Sequence, residues 1–220
     1  MTWKSRWTTL RRVGPAQVLL ARTWVVLGAD ERVKSRYRLD ASDLVVDVGA
    51  FRGDFVSDMR SRWGSSVLAI EPIPEFAEEL TERFRDDGKV EILQAALGDK
   101  EGSISIDQAG DASSSWTPRD PGEQKPQMVH VPLVDVAIVI GANQVGLMEI
   151  NAEGAEFEIL NRLLDTGQIS QVRCLQIQFH RFVPLASEKR RDLRRRLKQT
   201  HRCSWSVPWV WEQWVLLEGG

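Results

Sequence analysis

Read for its apolar and polar positions, the chain settles into a rhythm at residue 43. "DLVVDVGA" (43–50) is a short β-branched run closed by glycine, the pattern of a buried strand. "DFVSDMRSRW" (54–63) then spaces Phe55, Met59 and Trp63 as one face of a helix. "SVLAIEP" (66–72) predicts a second strand stopped by Pro72, and "EFAEELTERFR" (75–85) a second helix with Phe76, Leu80 and Phe84 on its apolar face. "VEILQAAL" (90–97) predicts a third strand. Residues 98–131 break the pattern with Gly, Ser, Asp and Pro, which predicts a hairpin or loop excursion. "VGLMEI" (145–150) resumes as a strand, "EFEILNRLLDTG" (156–167) as a helix ended by Gly167, and "VRCLQIQFH" (172–180) as another strand. The basic run "KRRDLRRRLK" (189–198) reads as a helix and "WVWEQWVLLE" (209–218) as a closing strand in which Trp209 and Trp211 point one way and Trp214 the other. Repeated strand–helix units specify an α/β fold with a doubly wound, mostly parallel sheet and helices on both faces. Residues 1–40 are expected to be a helical lead-in to a single domain over 41–220.

Composition changes this picture little. A 220-residue chain with 42% hydrophobic and 27% charged residues suits one globular domain with an ample core. The net charge of −2 argues against wholesale nucleic-acid affinity. Its distribution is uneven, however. Lys4, Arg6, Arg11, Arg12 and Arg22 load the N-terminus, and 189–198 forms a second basic run. Such runs are either solvated helix faces or contacts for a phosphate or other anion. Cys174 and Cys203 form neither a metal-ligand spacing nor a disulfide framework, which fits a reducing cytoplasm. "VLLARTWVVLG" (18–28), broken by Arg22, falls short of the roughly 20 apolar residues a membrane span needs and is followed by no small-x-small cleavage site.

The chemistry gathers at the strand exits. In "VVDVGAFRGDF" (45–55), Gly49 and Gly53 follow the first strand and precede a helix, where glycine permits a sharp turn and close approach of a ligand. Asp47 lies on the strand itself, which favours a ligand bearing an ammonium group over a pyrophosphate. Glu71 ends the second strand at the roughly 20-residue spacing of a ribose-binding acid. The plain alternative is a turn with a surface glutamate.

These segments resemble a known family. "DVGAFRGDF", "AIEPIPEF", "AALGD" (95–99), "SSSW" (113–116), "VPLVD" (131–135), "INAEGAEFEIL" (150–160) and "IQFH" (177–180) occur in the order seen in the FkbM family. Those are class I S-adenosylmethionine-dependent methyltransferases with a seven-stranded Rossmann-like sheet, mostly O-methylating sugars and natural products. The resemblance spans about residues 40–218. It implies that Asp47, Gly49 and Gly53 hold the methionine end of S-adenosylmethionine, Glu71 the ribose, and Ala96 and Leu97 the adenine, with Ala50, Phe51 and Pro72 also in the cofactor site. There are two departures. Phe51-Arg52-Gly53 stands where the family often has Asn-x-Gly, and Glu149, Asn151 and Ala152 replace the family's Lys, Asp and Val.

Ligands in such sheets bind outside the carboxyl ends of the strands. Asn151 and Glu153 leave one strand there and His180 leaves the next, so these three are the candidate catalytic groups. His180 is the first candidate for the base that removes the acceptor's proton, with Glu153 second. Each has a simpler reading: Glu153 as a helix-capping acid, His180 as a satisfied core histidine. Glu156 and Glu158 could be first-turn acids favoured by the helix dipole, and for Glu158 that reading is preferred. His130 and His201 are read as structural. No metal site is assigned, although a divalent ion held by Glu153, Asp135 and a partner is an alternative way to acidify a hydroxyl.

The leading function is O-methylation of a sugar, glycoside or related natural product, the acceptor being a small molecule or glycan that the basic runs suggest is phosphorylated. A same-fold methyltransferase acting on nucleic acid or protein, and a catalytically inactive nucleoside-binding relative, are the alternatives. A homo-oligomer is left open.

Overall fold

The computed structural model describes residues 37–107 and 128–217, together with Leu19, Thr23 and Val26 as isolated helical positions. Seven strands form the main sheet: β1 (Leu44–Val48), β2 (Ser66–Ile70), β3 (Val90–Leu93), β7 (Leu147–Ile150), β8 (Cys174–Ile177), β9 (His201–Val207) and β10 (Trp211–Leu216). Between β3 and β7 the chain forms a smaller sheet from β4 (Ala96–Gly98), β5 (Gly102–Asp107) and β6 (Met128–Asp135). The main sheet has the order β3-β2-β1-β7-β8-β10-β9. All its neighbours are parallel except β10, which runs antiparallel to both β8 and β9. The strand order reverses between β1 and β7, so their carboxyl ends form the topological switch point.

Five α-helices among the described residues connect these strands: α1 (Asp54–Trp63), α2 (Pro74–Arg83), α3 (Val136–Ile140), α4 (Glu156–Thr166) and α5 (Ala186–Leu197). Local chemistry sets their limits. Pro74 occupies the first turn of α2, where its missing N–H has no intrahelical acceptor to forgo, and left-handed Gly64 and Gly167 end α1 and α4. On one face of the sheet, Val46, Val48, Met148, Ile150, Leu175, Ile177 and Trp214 pack against α3, α4 and α5. On the other, Val45, Val67, Ala69, Leu147 and Trp211 pack against Val56 and Met59 of α1, Leu80 of α2, and the entering Tyr37 and Leu39.

Several expectations change. The run 90–97 is two strands, because Gln94 and Ala95 turn the chain and β4 leaves the main sheet. β4 pairs with β6, itself hairpinned to β5. This small sheet is the described part of the excursion. The Ser113–Trp116 motif lies outside the described residues, as does most of the expected lead-in. β9 is an additional strand that the pattern did not predict. Trp209 stands in the β9–β10 turn with φ 62° rather than in a strand. It joins the core on the α5 face, opposite Trp211.

The basic run is α5, but much of it serves the fold. Arg190 and Arg194 both hold buried Glu212, Arg190 at 2.9 Å, while their guanidiniums lie over the Trp209 ring (5.2 Å) and the Trp214 ring (5.1 Å) respectively. Arg196 ties α5 to Asn161 (2.6 Å) and Asp165 of α4. No helix among the described residues is long and apolar enough to cross a membrane.

Candidate active site

The two glycines after β1 are required by the chain itself. Gly49 has φ 90°, and a Cβ there would fall inside the contact radius of the Asn151 carbonyl oxygen on the β7 exit. Gly53 has φ 79°, and its Cβ would meet Leu80 and Phe84 at 2.6 Å. Glycine therefore brings the β1 turn against the β7 turn on one side and against α2 on the other. Between them Phe51 adopts φ 50° and sets its ring edge-on to Phe76 at 4.5 Å, with Ala96 packed in the same cluster. Leu97 instead turns into the main core.

Glu71 closes this loop. Its two carboxylate oxygens accept from the backbone N–H groups of Phe51 and Ile73, each at 2.9 Å. Each oxygen retains a lone pair for another donor. Burial pushes the carboxyl up to about 7, against the lowering effect of those two hydrogen bonds.

Asp47 belongs to a polar row that the sequence pattern did not reveal. It stands opposite Glu149 on β7, which stands opposite Gln176 on β8, which stands opposite Gln213 on β10. All four side chains are buried, and Tyr37 donates its hydroxyl to Gln176. The available signal was parity: Asp47, Glu149 and Gln176 each alternate with large apolar residues that face the opposite side, and Gln213 stands between Glu212 and Trp214.

The β7 exit carries the second cluster. Glu153 takes φ 46° and Gly154 φ 112°, a turn that a non-glycine residue adopts only under constraint. Wholly buried Glu156 supplies that constraint. One of its oxygens accepts from Gly154 N–H at 2.8 Å; the other accepts from His180 N–H at 2.7 Å and lies 3.1 Å from His180 Nδ1. His180 Nε2 is 3.4 Å from Glu153. Glu156, in the first turn of α4, is therefore also an internal clamp between two strand exits, whereas Glu158 in the same turn is exposed. Burial opposes charge on His180, but the Glu153 and Glu156 carboxylates outweigh it and hold the imidazole protonated well above its ordinary range. Asn151 contributes a buried side-chain oxygen with no hydrogen-bond partner among the described residues.

Other candidates are accounted for by the fold. Asp135 caps α3 through Ala137 N–H (2.8 Å) and holds Arg162 through both oxygens (2.6 and 3.0 Å), which removes it from the metal alternative. The Arg162 guanidinium holds the Asp135 carboxyl below its usual range. His201 lies buried between Thr200 (2.8 Å) and the Val172 carbonyl (2.8 Å), and His130 bonds Ser105 (2.9 Å) at the surface.

Among the described residues, the four non-glycine positions with positive φ are Phe51, Glu153, Leu185 and Trp209, and all lie in loops at the carboxyl edge of the sheet. A family model for the methyltransferase FkbM domain matches residues 47–201, a span that includes the first three of these loops.

The chain belongs to the FkbM methyltransferase family.

Among solved structures, this FkbM methyltransferase is similar to a Clostridium thermocellum protein described as an rRNA methylase. That likeness has 9% identity and a TM-score of 0.54, and covers 88% of this chain and 97% of that one. It is also similar to a dimethyladenosine transferase from Plasmodium falciparum, at 11% identity and a TM-score of 0.51, over 87% and 62% of the two chains. At such identities the likeness is one of fold. No curated protein matches the chain.

Proposed function

We propose that this FkbM methyltransferase uses S-adenosylmethionine to methylate a hydroxyl of a sugar, glycoside or related natural product. The observation that carries this reading is the Glu153–His180 pair at the exits of adjacent strands, beside the turn where Gly49 meets Asn151.

The residues present fit the donor. Glu71 offers remaining lone pairs to both ribose hydroxyls, with Pro72 shaping the strand exit. Asp47 and the Gly49–Ala50 turn face the methionine end, with Phe51 and Gly53 completing it. Ala96, in the Phe51–Phe76 cluster, flanks the adenine; Leu97 supports that position from the core. The donor supplies a methyl group already activated by its positive sulfur, so the protein mainly aligns the acceptor oxygen and removes its proton.

For that proton, the first-choice base shifts. An imidazolium has no lone pair to accept it, so Glu153 is assigned as the accepting carboxylate. His180, fixed by Glu156, holds Glu153 in place, and the side-chain oxygen of Asn151 accepts from a second, non-reacting hydroxyl of the acceptor. The domain is assigned to residues 41–220, and the free cysteines suit a reducing cytoplasm.

The test is direct. Glu71→Ala should weaken donor binding by at least ~1.5 kcal/mol, the value of a hydrogen bond to a charged group. Glu153→Gln should lower kcat by about 10²-fold with donor affinity kept, as for a lost general base. Calorimetry and mass spectrometry of products from nucleotide sugars, glycosides and lipid-linked glycans read both; unchanged donor affinity in folded Glu71→Ala would sink the donor assignment. A second reading, an RNA acceptor, draws on the two similar structures, both described as enzymes of RNA or adenosine methylation. It predicts acceptor affinity that falls steeply with salt.

A further inference from the structure

The outer side of α5 carries a shallow groove of about 370 Å³. Ser187, Arg190, Arg191, Arg194, Arg195 and Lys198 line it, and no carboxylate does. Positions 187, 191, 194, 195 and 198 recur at helical spacing, so they form one continuous stripe roughly 16 Å long at 1.5 Å per residue.

These cations divide by use. Arg190 and Arg194 share the single carboxylate of Glu212 beneath them, and Arg195 pairs with Asp192. Arg191 and Lys198 make no ion pair among the described residues, and the buried Nε–H of Arg190 has no hydrogen-bond acceptor among them. Two carboxylates thus face five cations, and the groove keeps a net positive charge. A concentration of unneutralised like charge disfavours the empty surface and favours an anion.

The groove also points somewhere. α5 begins six residues after His180, at the carboxyl edge, and Arg190 touches the Phe179 ring (5.8 Å) as well as Trp209. Arg181, next to His180, lies over the same indole at 5.5 Å. A run of cations therefore leads from the proposed acceptor side of the cleft along α5.

We propose that this groove binds the phosphate groups of a small phosphorylated acceptor. That the bound molecule is the acceptor rests on the methyl-transfer reading above; phosphate binding does not. Guanidinium groups match phosphate oxygens with paired N–H donors, and the volume is that of a small-molecule site.

The test measures binding without methyl donor, so that its outcome is separate from that of donor binding or turnover. Inorganic pyrophosphate and a 12-nucleotide RNA are titrated into the full chain by calorimetry at low and moderate salt. The comparison is with Arg191→Ala/Lys198→Ala, chosen because neither residue anchors the fold, and with Arg85→Ala as a remote control. Pyrophosphate should bind the wild type and Arg85→Ala alike, and the double variant about tenfold more weakly, as removal of two solvent-screened charge contacts would give. Absence of pyrophosphate binding to the wild type, or equal binding by the double variant, overturns the proposal. RNA binding that the double variant loses, with a salt slope shallower by about 1 per cation removed and no pyrophosphate binding, overturns the small-molecule assignment in favour of a nucleic-acid backbone.

Discussion

The two faces of the central sheet are built from the same strands and differ sharply in what they bury. Toward α3, α4 and α5, β1, β7, β8 and β10 present Val46, Val48, Met148, Ile150, Leu175, Ile177 and Trp214. Toward α1, the intervening positions of the same strands place Asp47, Glu149, Gln176 and Gln213 side by side. A parallel sheet covered by helices normally buries apolar residues on both faces. Burying two neighbouring carboxylates costs free energy that a valine in either place would not. The contrast assigns different work to each face: the α5 side, whose buried carboxylate Glu212 is neutralised by Arg190 and Arg194, holds the domain together, and the α1 side, one step below the carboxyl edge, carries a continuous row of buried polar groups.

The strongest challenge to this division is truncation on the apolar side. Phe157→Ala opens a cavity against Phe179, whose ring lies 5.2 Å away, and should cost about 3–5 kcal/mol in denaturant unfolding. A loss below about 1 kcal/mol would break the comparison.

The site should register pH where the apolar face cannot. With Glu71 as the proposed ribose acceptor, donor binding requires its ionised form, so below about 7 the affinity should fall about tenfold per pH unit and level off above that value. Isothermal titration from pH 5.5 to 8.5 checks this, and Glu71→Gln should flatten the profile. A profile that stays sloped in Glu71→Gln assigns the titration elsewhere.

His180 adds a stability contribution that falls as pH rises. Its folded value is raised, so its contribution is complete below the unfolded value of 6.5 and is lost as pH rises through the folded value. Thermal unfolding of the wild type should therefore lose more stability on the alkaline side than His180→Gln does. Parallel curves would remove the imidazolium from the Glu153–Glu156 clamp.

On the polar row the expected effect is smaller. Gln176→Leu removes the acceptor of the Tyr37 hydroxyl and should cost about 1–2 kcal/mol, despite adding apolar volume. A stabilised variant would mean that the row is dispensable. The smallest effect is expected at Gly102, where an added Cβ meets nothing within 4 Å: Gly102→Ala should leave unfolding unchanged, whereas Gly49→Ala should fail both to hold the fold and to bind donor.

Much of this was legible along the chain. The helix at 54–63 and the strand before it follow from periodicity and glycine placement, because both are decided within about ten residues. Glu153 and His180 were expected at adjacent strand exits, and they stand 3.4 Å apart. What escaped depends on partners distant in sequence. "VEILQAAL" has only Glu91 and Gln94 among its apolar residues and no Gly or Pro, so its pattern does not mark Gln94 as the point where β4 changes sheets. "HRCSWSV" alternates weakly and becomes a strand only by pairing with β10. Arg190 and Arg194 looked like surface charge until the fold set Glu212 beneath them. Glu156 occupies a helix's first turn, and only the return of the chain at residue 180 turns it into a clamp.

The contact between Gly49 and the Asn151 carbonyl constrains how this enzyme could be re-engineered. The turn that would receive the donor and the turn that would meet the acceptor touch backbone to backbone, with no side chain between them to be trimmed or enlarged. A loop transplanted onto residues 151–155 to change acceptor preference must reproduce the height of that one carbonyl, or it will displace the donor turn as well. Specificity grafts in this protein are best confined to residues 181–185 of the β8–α5 loop, which leave that contact and the His180–Glu156 clamp alone.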